Sequence, residues 1–235
     1  MSFQQAQNYL HSFSSKARKE SNMRFFKTGK GQYGEGDLFL GISVPDTRKV
    51  VKKYFEMVTE DVLKFVKSPY HEERLLGLLI LVEKHKRSSD VTQKKIFKTY
   101  IKHFPYVNNW DLVDTTAPYI IGPHLLPKNN KVLSAWSNSP NLWVRRISII
   151  STYYLIKNSQ LEETFRIATR LISDEHDLIH KAVGWMLREA GKKNQKTLED
   201  FLLNYASKMP RTMLRYSIEK FPETKRKKYL DLKPT

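Results

Sequence analysis

The stretch SPYHEERLLGLLILVEKHKR, residues 68 to 87, places apolar side chains at the spacing of an α-helix. Two later stretches follow the same plan: SPNLWVRRISIISTYYLIKN from Ser139 and SDEHDLIHKAVGWMLREAGKKN from Ser173. Each opens with residues that cap helices and closes on Lys, Arg or Asn, which are favoured at helix ends. The sequence therefore predicts three similar helices.

The three stretches recur at a nearly constant distance along the chain. When they are aligned on Arg74, Arg146 and Lys181, one long gap remains, and Trp110 lies at its middle. If Trp110 is counted as a further repeat position, the steps are 36, 36 and 35 residues. Amphipathic segments between them, such as QKKIFKTYIKHF and LEETFRIATRLIS, would supply a second helix for each repeat. A period of this length predicts an all-α fold, an α-solenoid of HEAT-like helical repeats.

The predicted solenoid has a consequence for the surface, because equivalent helices of successive repeats line one concave face. On this alignment Trp110, Arg146 and Lys181 share one position, and Asp114 and Trp185 share the position one turn further on. An acid, two indole rings and several cations are therefore expected to gather in one concave basic groove.

We expect a single HEAT-like repeat domain over residues 1–235. Its predicted parts are a helical, Gly-rich start (1–45), the repeats (46–222) and a basic C-terminal tail (223–235). Exposed patches for oligomerisation are not evident in the sequence, so a monomer is expected.

The net charge of the chain indicates which classes of binding partner are most compatible with it. The chain has 41 Lys and Arg against 24 Asp and Glu, a net charge of +17. Nucleic acid is the first partner to consider, an anionic membrane is the second, and a charge that only confers solubility is the alternative to both. The absence of Cys excludes disulfides, thiol catalysis, iron–sulfur clusters and zinc fingers.

The sequence also bears on location. No apolar run approaches the roughly 20 residues of a membrane span, and MSFQQAQNYLHSF lacks the features of a signal peptide. We therefore expect a soluble, cytoplasmic protein that is nucleoid-associated when bound to DNA.

The stretch NNWDLVD, residues 108 to 114, places Trp110 and Asp114 at i and i+4, so that they share a helix face. Asp111 suits the first turn of that helix, where an acid favours the dipole. Asp114 is expected deeper, in the helix interior, where Asp is a mediocre helix former. A surface charge is the alternative for Asp114, and a core position is the alternative for Trp110.

The ends of this helix are also suggested by the sequence. Asn108 or Asn109 is expected to cap it. Pro118 cannot donate a hydrogen bond to the Asp114 carbonyl, so it should kink or end the helix. A bent helix that carries an acid next to an aromatic ring is a candidate site.

Five segments together resemble the AlkD family of DNA alkylation repair glycosylases, which are built from HEAT-like repeats. They are FKTGKGQYGEGDLFLGISVPDTRKV, NNWDLVDTTAP, NLWVRRISI, HKAVGWMLREAG and MPRTMLRYSIEKFP, in order from about residue 25 to residue 222. Any one of these motifs alone would be weak, whereas their combination is specific.

The resemblance implies an enzyme that removes cationic N3- and N7-alkylated purines from duplex DNA. We expect it to be monofunctional, because no Lys is placed beside Asp114 as a Schiff-base nucleophile, and we expect no cofactor and no metal. It implies that Asp114 is the catalytic carboxylate, that Trp110 and Trp185 contact the sugar and the base, and that Arg146 holds a phosphate. Some relatives lack the acid and bind DNA without glycosylase activity. The alternative is therefore a non-catalytic HEAT-repeat protein that binds damaged or branched DNA, and retention of Asp114 argues against it.

The chemistry needs only one acid. An alkylated cationic purine is already a good leaving group, whereas the sugar left behind develops an oxocarbenium-like charge. A fixed carboxylate near C1′ stabilises that charge or positions the attacking water. Indole faces attract the cationic base by about 0.5–2 kcal/mol.

Further basic residues are predicted to contact DNA phosphates, with a solvated surface role as the alternative for each one. They are Arg48, Lys49, Lys52, Lys181, Arg188, Arg211 and Arg215. A HEAT-type protein scaffold that holds a peptide is a third hypothesis, which the net charge of +17 disfavours.

Two other motifs are discounted. GKGQYG, residues 29 to 34, matches G-x-G-x-x-G but follows a predicted helix and not a strand, so a loop is expected. His176 and His180 stand at i and i+4 without a convincing third ligand for a metal, so the start of a helix is expected there.

Overall fold

The computed structural model describes residues 2–126 and 131–232. Within these ranges the regular structure is helical, and the all-α helical-repeat prediction is confirmed. One isolated parallel bridge joins Leu38 to Tyr70. By its contacts the chain divides into two compact units, Met1–Ile120 and Ile121–Thr235. The single domain over residues 1–235 and the concave groove stay predictions.

The helices of the first unit are α1 (Phe3–His11), α2 (Lys16–Phe25), α3 (Val44–Tyr54), α4 (Thr59–Val66), α5 (His71–Arg87), α6 (Asp90–Lys102), α7 (Trp110–Asp114) and α8 (Ala117–Ile120). Those described in the second unit are α9 (Lys131–Ser137), α10 (Leu142–Ile150), α11 (Thr152–Lys157), α12 (Glu162–Arg170), α13 (Asp177–Lys193), α14 (Gln195–Tyr205), α15 (Arg211–Ser217) and α16 (Glu223–Leu230). Single 3-10 turns span Phe104–Tyr106 and Gly122–Leu125.

Helix α5 is the centre of the first unit and packs against α3, α4, α6, α7 and α8. Its run LLGLLIL is buried on every side, which is the pattern of a helix surrounded by protein. Gly77 lets α4 approach, because a Cβ at this position would lie 2.8 Å from the Val66 backbone nitrogen. The stretch from Ser68 that the sequence singles out is therefore the core helix of its unit.

Helix α13 has the same place in the second unit and packs against α10, α11, α12, α14 and α15. The segments predicted as second helices of the repeats are helical: QKKIFKTYIKHF overlaps α6, and LEETFRIATRLIS overlaps α12. The stretch from Ser139 is not one helix, because it breaks at Ser151 into α10 and α11. The predicted basic tail contains a helix, α16, which packs on α15.

The repeat register predicted from Arg74, Arg146 and Lys181 is wrong by one residue at Arg74. The Arg74 guanidinium donates to the carbonyl of Ser68, six residues earlier, and Arg145 donates in the same way to Ser139. His180 bonds the carbonyl of Asp174, again six residues earlier. Arg74 therefore corresponds to Arg145 and not to Arg146. Because Arg145 corresponds in turn to His180, the predicted match of Arg146 to Lys181, 35 residues later, is unchanged.

No helix in residues 2–126 or 131–232 combines the length and the hydrophobicity that a membrane span requires.

Gly184→Ala should destabilise the second unit, although Ala is the better helix former. A Cβ at Gly184 would lie 2.5 Å from the Tyr216 Cβ and 2.6 Å from the Met213 carbonyl oxygen on α15, so one helix must shift. We expect a loss of about 1–3 kcal/mol in the free energy of unfolding, measured by urea denaturation. Lys193→Ala, at an exposed position of α13, is the control. Unchanged or increased stability in Gly184→Ala would contradict this close packing.

Candidate active site

Helix α7 begins at Trp110, where the Asn109 side chain accepts the Trp110 backbone N–H at 2.8 Å. It ends at Asp114, and Pro118 lies in the short helix α8 that follows. The expectations that Asn108 or Asn109 caps the helix and that Pro118 prevents its continuation are confirmed. The expectation of an interior acid is wrong, because Asp114 is the last residue of a five-residue helix.

Trp110 is half-buried against the end of α2. Its ring stacks on Phe26 with centroids 5.4 Å apart and planes 23° apart, and it meets the edge of Phe25 at 5.8 Å. Phe25 is 63% exposed. Trp110 is therefore neither a core residue nor a free surface ring, and one part of its indole packs while another meets solvent.

Asp114 is partly exposed and lies near a buried phenol. The pKa of Tyr100 is raised, first by burial and also by the negative charge of Asp114. The Tyr100 hydroxyl is paired with the Thr116 hydroxyl at 2.7 Å. The carboxylate therefore lies close to a neutral polar pair at the junction of α7 and α8.

A buried cluster of charges, which the sequence reasoning missed, holds the other side of α7. Asp111 on α7 accepts a hydrogen bond from His71 Nε2 at 2.8 Å, and His71 Nδ1 lies 3.3 Å from Asp37. Asp37 also accepts from Arg74 at 2.5 Å. All four residues are buried. The first-turn position of Asp111 is as expected, but its role is a long-range pairing.

The ionisation of this cluster follows from its contacts. Burial alone would lower the pKa of His71, but the charges and hydrogen bonds of Asp111 and Asp37 outweigh burial and raise that pKa to about 9. Burial acts to raise the pKa of Asp37, but the hydrogen bond to His71 and the charge of Arg74 hold it below its usual range. His71 is therefore an imidazolium at neutral pH.

Glu72 and Glu73, which follow His71 on α5, bind segments that precede this helix in the chain. Glu72 accepts the backbone N–H groups of Leu40, Gly41 and Ile42 at 2.9–3.2 Å. Glu73 bonds His11 and Ser68, both at 2.6 Å. The signal for this network was the run HEER, four ionisable residues that open an otherwise apolar helix.

In the second unit Trp185 is partly exposed on α13, with its ring 6.0 Å from the Tyr153 ring. The Lys157 ammonium lies 5.0 Å over the other ring, that of Tyr153. Arg146 is only 5% exposed, and its guanidinium donates to the Leu178 carbonyl. Little of the Arg146 side chain meets solvent, and its contact with a phosphate stays a prediction.

Counting from the helix caps corrects the predicted equivalences of the site residues. Arg146 and Lys181 are each the fifth residue after their caps, Asn141 and His176. The fifth residue after Asn109 is Asp114, whereas Trp110 is the first. The predicted equivalences of Trp110 to Arg146 and of Asp114 to Trp185 are therefore wrong by one helical turn.

The predicted phosphate ligands fall into two groups. Arg48, Lys52 and Arg215 are exposed on α3 and α15. The others have partners in the same unit: Lys49 pairs with Asp46, Lys181 with Asp177, Arg188 with Glu189 and Glu219, and Arg211 with the Leu230 carbonyl. DNA contacts by the paired residues would have to compete with these partners.

The discounted motifs are structural in the described residues. GKGQYG lies in a loop in which Gly31 has a φ of 76°. His176 caps α13 by accepting the Leu178 N–H at its Nδ1, and His180 bonds the Asp174 carbonyl. These contacts confirm the expected loop and the expected start of a helix.

The chain is similar to a known protein family over most of its length. The sequence profile described as DNA alkylation repair enzyme matches residues 6–221. The chain belongs to the DNA alkylation repair enzyme family. Helices α7 and α13, with Trp110, Asp114 and Trp185, lie within the matched part.

Solved structures similar to this DNA alkylation repair family member share its fold. One is described as a predicted DNA alkylation repair enzyme from Enterococcus faecalis, with 15% identity, a TM-score of 0.70, and coverage of 89% of this chain and 97% of that one. Another is smu.31 from Streptococcus mutans UA159, with 16% identity, a TM-score of 0.57, and coverage of 94% and 99%. No curated protein gives a significant sequence match. At these identities the structures support the helical fold alone.

Proposed function

We propose that this DNA alkylation repair family member is a monofunctional DNA glycosylase that excises cationic N3- and N7-alkylated purines from duplex DNA in base excision repair. The observation that carries the proposal is the pairing of a partly exposed carboxylate, Asp114, with a half-exposed indole, Trp110, on one short helix. Membership of the family supports the repair role. The enzyme would act in the cytoplasm, on the nucleoid, as a monomer.

The chemistry asks little of the protein beyond one fixed negative charge. Alkylation at N3 or N7 makes the purine cationic, so it leaves without protonation by a general acid. The deoxyribose then develops positive charge at C1′, and a preorganised carboxylate stabilises it. Asp114 would supply that charge and orient the water that attacks C1′.

The indole rings would supply the contacts that a carboxylate cannot. The exposed part of Trp110 would face the deoxyribose or the cationic base, and Trp185 on α13 would present a second ring of the same kind. Cation–π attraction is worth about 0.5–2 kcal/mol for each ring. It favours the cationic adduct over an unmodified purine, so it contributes to lesion selectivity.

The net charge of +17 supports affinity for the phosphate backbone. Arg48→Gln should reduce the slope of log K against log salt for duplex binding by about 1, because each phosphate contact releases about one counterion. The measurement is a fluorescence-anisotropy titration at several salt concentrations. Lys95→Gln, at an exposed position on α6 outside the predicted set, is the control. Equal slopes in all three proteins would remove Arg48 from the DNA contacts.

The test of the proposed function is release of free base from methylated duplex DNA. We expect N3-methyladenine and N7-methylguanine to be released, with abasic sites left uncleaved. Absence of release on both adducts would reject the glycosylase.

The second candidate function is binding of damaged or branched DNA without catalysis. It is favoured by the same net charge of +17, which supports binding to the phosphate backbone without requiring catalysis. Tight, salt-dependent binding without base release would select it. A protein scaffold predicts no steep salt dependence of DNA binding at all.

A further inference from the structure

His71 is the buried link between the core helix α5 and the short helix α7. It is 2% exposed, and its two ring nitrogens face two carboxylates, Asp111 on α7 and Asp37 in the loop before α3. Its ring also stacks on Phe39 at 4.7 Å and tilts against Phe26 at 4.9 Å. A single side chain therefore contacts α7, the Asp37 loop and the end of α2.

The charges around His71 balance only when its ring is protonated. The charged groups that interact with it are Asp111, Asp37 and Arg74. With an imidazolium the cluster has two positive and two negative charges, and a neutral ring would leave one excess negative charge in a buried site. Asp111 depends on this pairing, because its Oδ1 has no hydrogen-bond partner among the described residues.

Helix α7 needs an external anchor because five residues do not form a stable helix in water. Leu112 and Val113 are fully buried and fix one side of it. The first turn is fixed by the hydrogen bond that Asp111 accepts from His71 and by the stack of Trp110 on Phe26, whose ring contacts His71. The orientation of Trp110 and Asp114 therefore depends on His71 by two routes.

We propose that His71, as an imidazolium, is a positioning residue that fixes α7 so that Trp110 and Asp114 are held in the geometry that base excision requires. The catalytic part of this inference rests on the proposed glycosylase function. The ring touches no substrate and acts only through Asp111 and Phe26.

The substitution that tests the inference is His71→Gln, which keeps a hydrogen-bonding side chain and removes the charge. We expect the single-turnover rate of N3-methyladenine release to fall about 10²-fold, the cost of misplacing a catalytic group by about 1 Å. Affinity for the duplex should stay near that of the wild type, because the ring is buried away from DNA. His103→Gln is the matched control, since His103 is also buried in the first unit but bonds the Thr99 carbonyl of its own helix.

The pH profile separates positioning from a merely structural role. The wild-type rate should be constant from pH 7 and fall as pH rises through about 9, where the His71 ring loses its proton. That alkaline limb should be absent in His71→Gln. In Asp111→Asn the limb should move to lower pH, because the carboxylate that favours the imidazolium is gone. A wild-type limb that persists unchanged in both variants would overturn the inference.

Two further measurements do not depend on the proposed function, and the first of them needs no variant. Nitrogen-15 NMR of histidine-labelled wild type at pH 8 should show both His71 nitrogens protonated. Hydrogen exchange of the backbone amides of residues 110–116 should accelerate in His71→Gln and not in His103→Gln. A neutral His71 at pH 8, or unchanged exchange in a folded His71→Gln, overturns the inference. A third outcome separates the two proposals: the wild type releases no base, its His71 is protonated, and exchange is accelerated in His71→Gln. This outcome rejects the glycosylase function and the catalytic part of the inference, and it supports the positioning of α7 by His71.

Discussion

Asp114→Asn should lower the single-turnover release of N3-methyladenine from duplex DNA by about 10²–10³-fold or more, as loss of other electrostatic stabilisers does. Asparagine keeps the shape of the side chain and removes the charge that would face the developing cation at C1′. Asp114 ends α7 and is partly exposed, so the carboxylate can reach a substrate outside the core. The measurement is the rate of free-base release under excess enzyme, followed by chromatography.

Two comparisons make this result specific. Asp61→Asn removes a partly exposed helix carboxylate of the same unit, one that pairs with Lys64, and its rate should equal the wild-type rate. Duplex affinity of Asp114→Asn should be equal or greater, because a negative charge near phosphates is removed. A rate in Asp114→Asn within a few-fold of the wild type would show that Asp114 is not the catalytic carboxylate.

Arg74→Met should lower the free energy of unfolding by about 3–5 kcal/mol, the cost of breaking a buried ion pair by removing one partner. The guanidinium of Arg74 pairs with Asp37 at 2.5 Å, and the two side chains are 4% and 5% exposed. It also donates to the carbonyls of Ser68 and Pro69, which would lose their partner. The measurement is urea unfolding followed by circular dichroism.

The chain contains its own control for this prediction. Arg145 makes the equivalent contacts in the second unit, pairing with Asp174 and donating to the carbonyls of Ser139 and Pro140. Its side chain is 20% exposed, so water replaces part of what is lost and Arg145→Met should cost less. A double variant, Arg74→Met with Asp37→Asn, should recover part of the loss. Equal losses in the two single variants would contradict a role for burial.

The fold was predictable because its signals are local. The periodic apolar run after Ser68 predicted α5, and the run after Ser173 predicted α13, because the spacing of apolar residues along the chain is itself the signal of a buried helix. Asn109 and Pro118 set the ends of α7 through chemistry confined to a few residues. The repeat register was harder, because Arg145, which corresponds to Arg74, is adjacent to a second arginine, Arg146, in the sequence.

The residues of the candidate site were also predictable only where their signal is local. Trp110 and Asp114 were recognisable because they belong to one short motif, NNWDLVD. The burial of Arg146 was not predictable, because nothing in the motif WVRR distinguishes a buried arginine from one that is exposed to solvent.

The sequence by itself determined the core helices α5 and α13, the cap of α7 and the residues that carry the family motif, because these depend on interactions within about ten positions of the chain. Only the tertiary structure decided that His71 lies between Asp37 and Asp111, which are 34 and 40 residues away. The ionisation of His71 depends on that burial and those two charges, and a pKa set by groups so distant in sequence has no local signature.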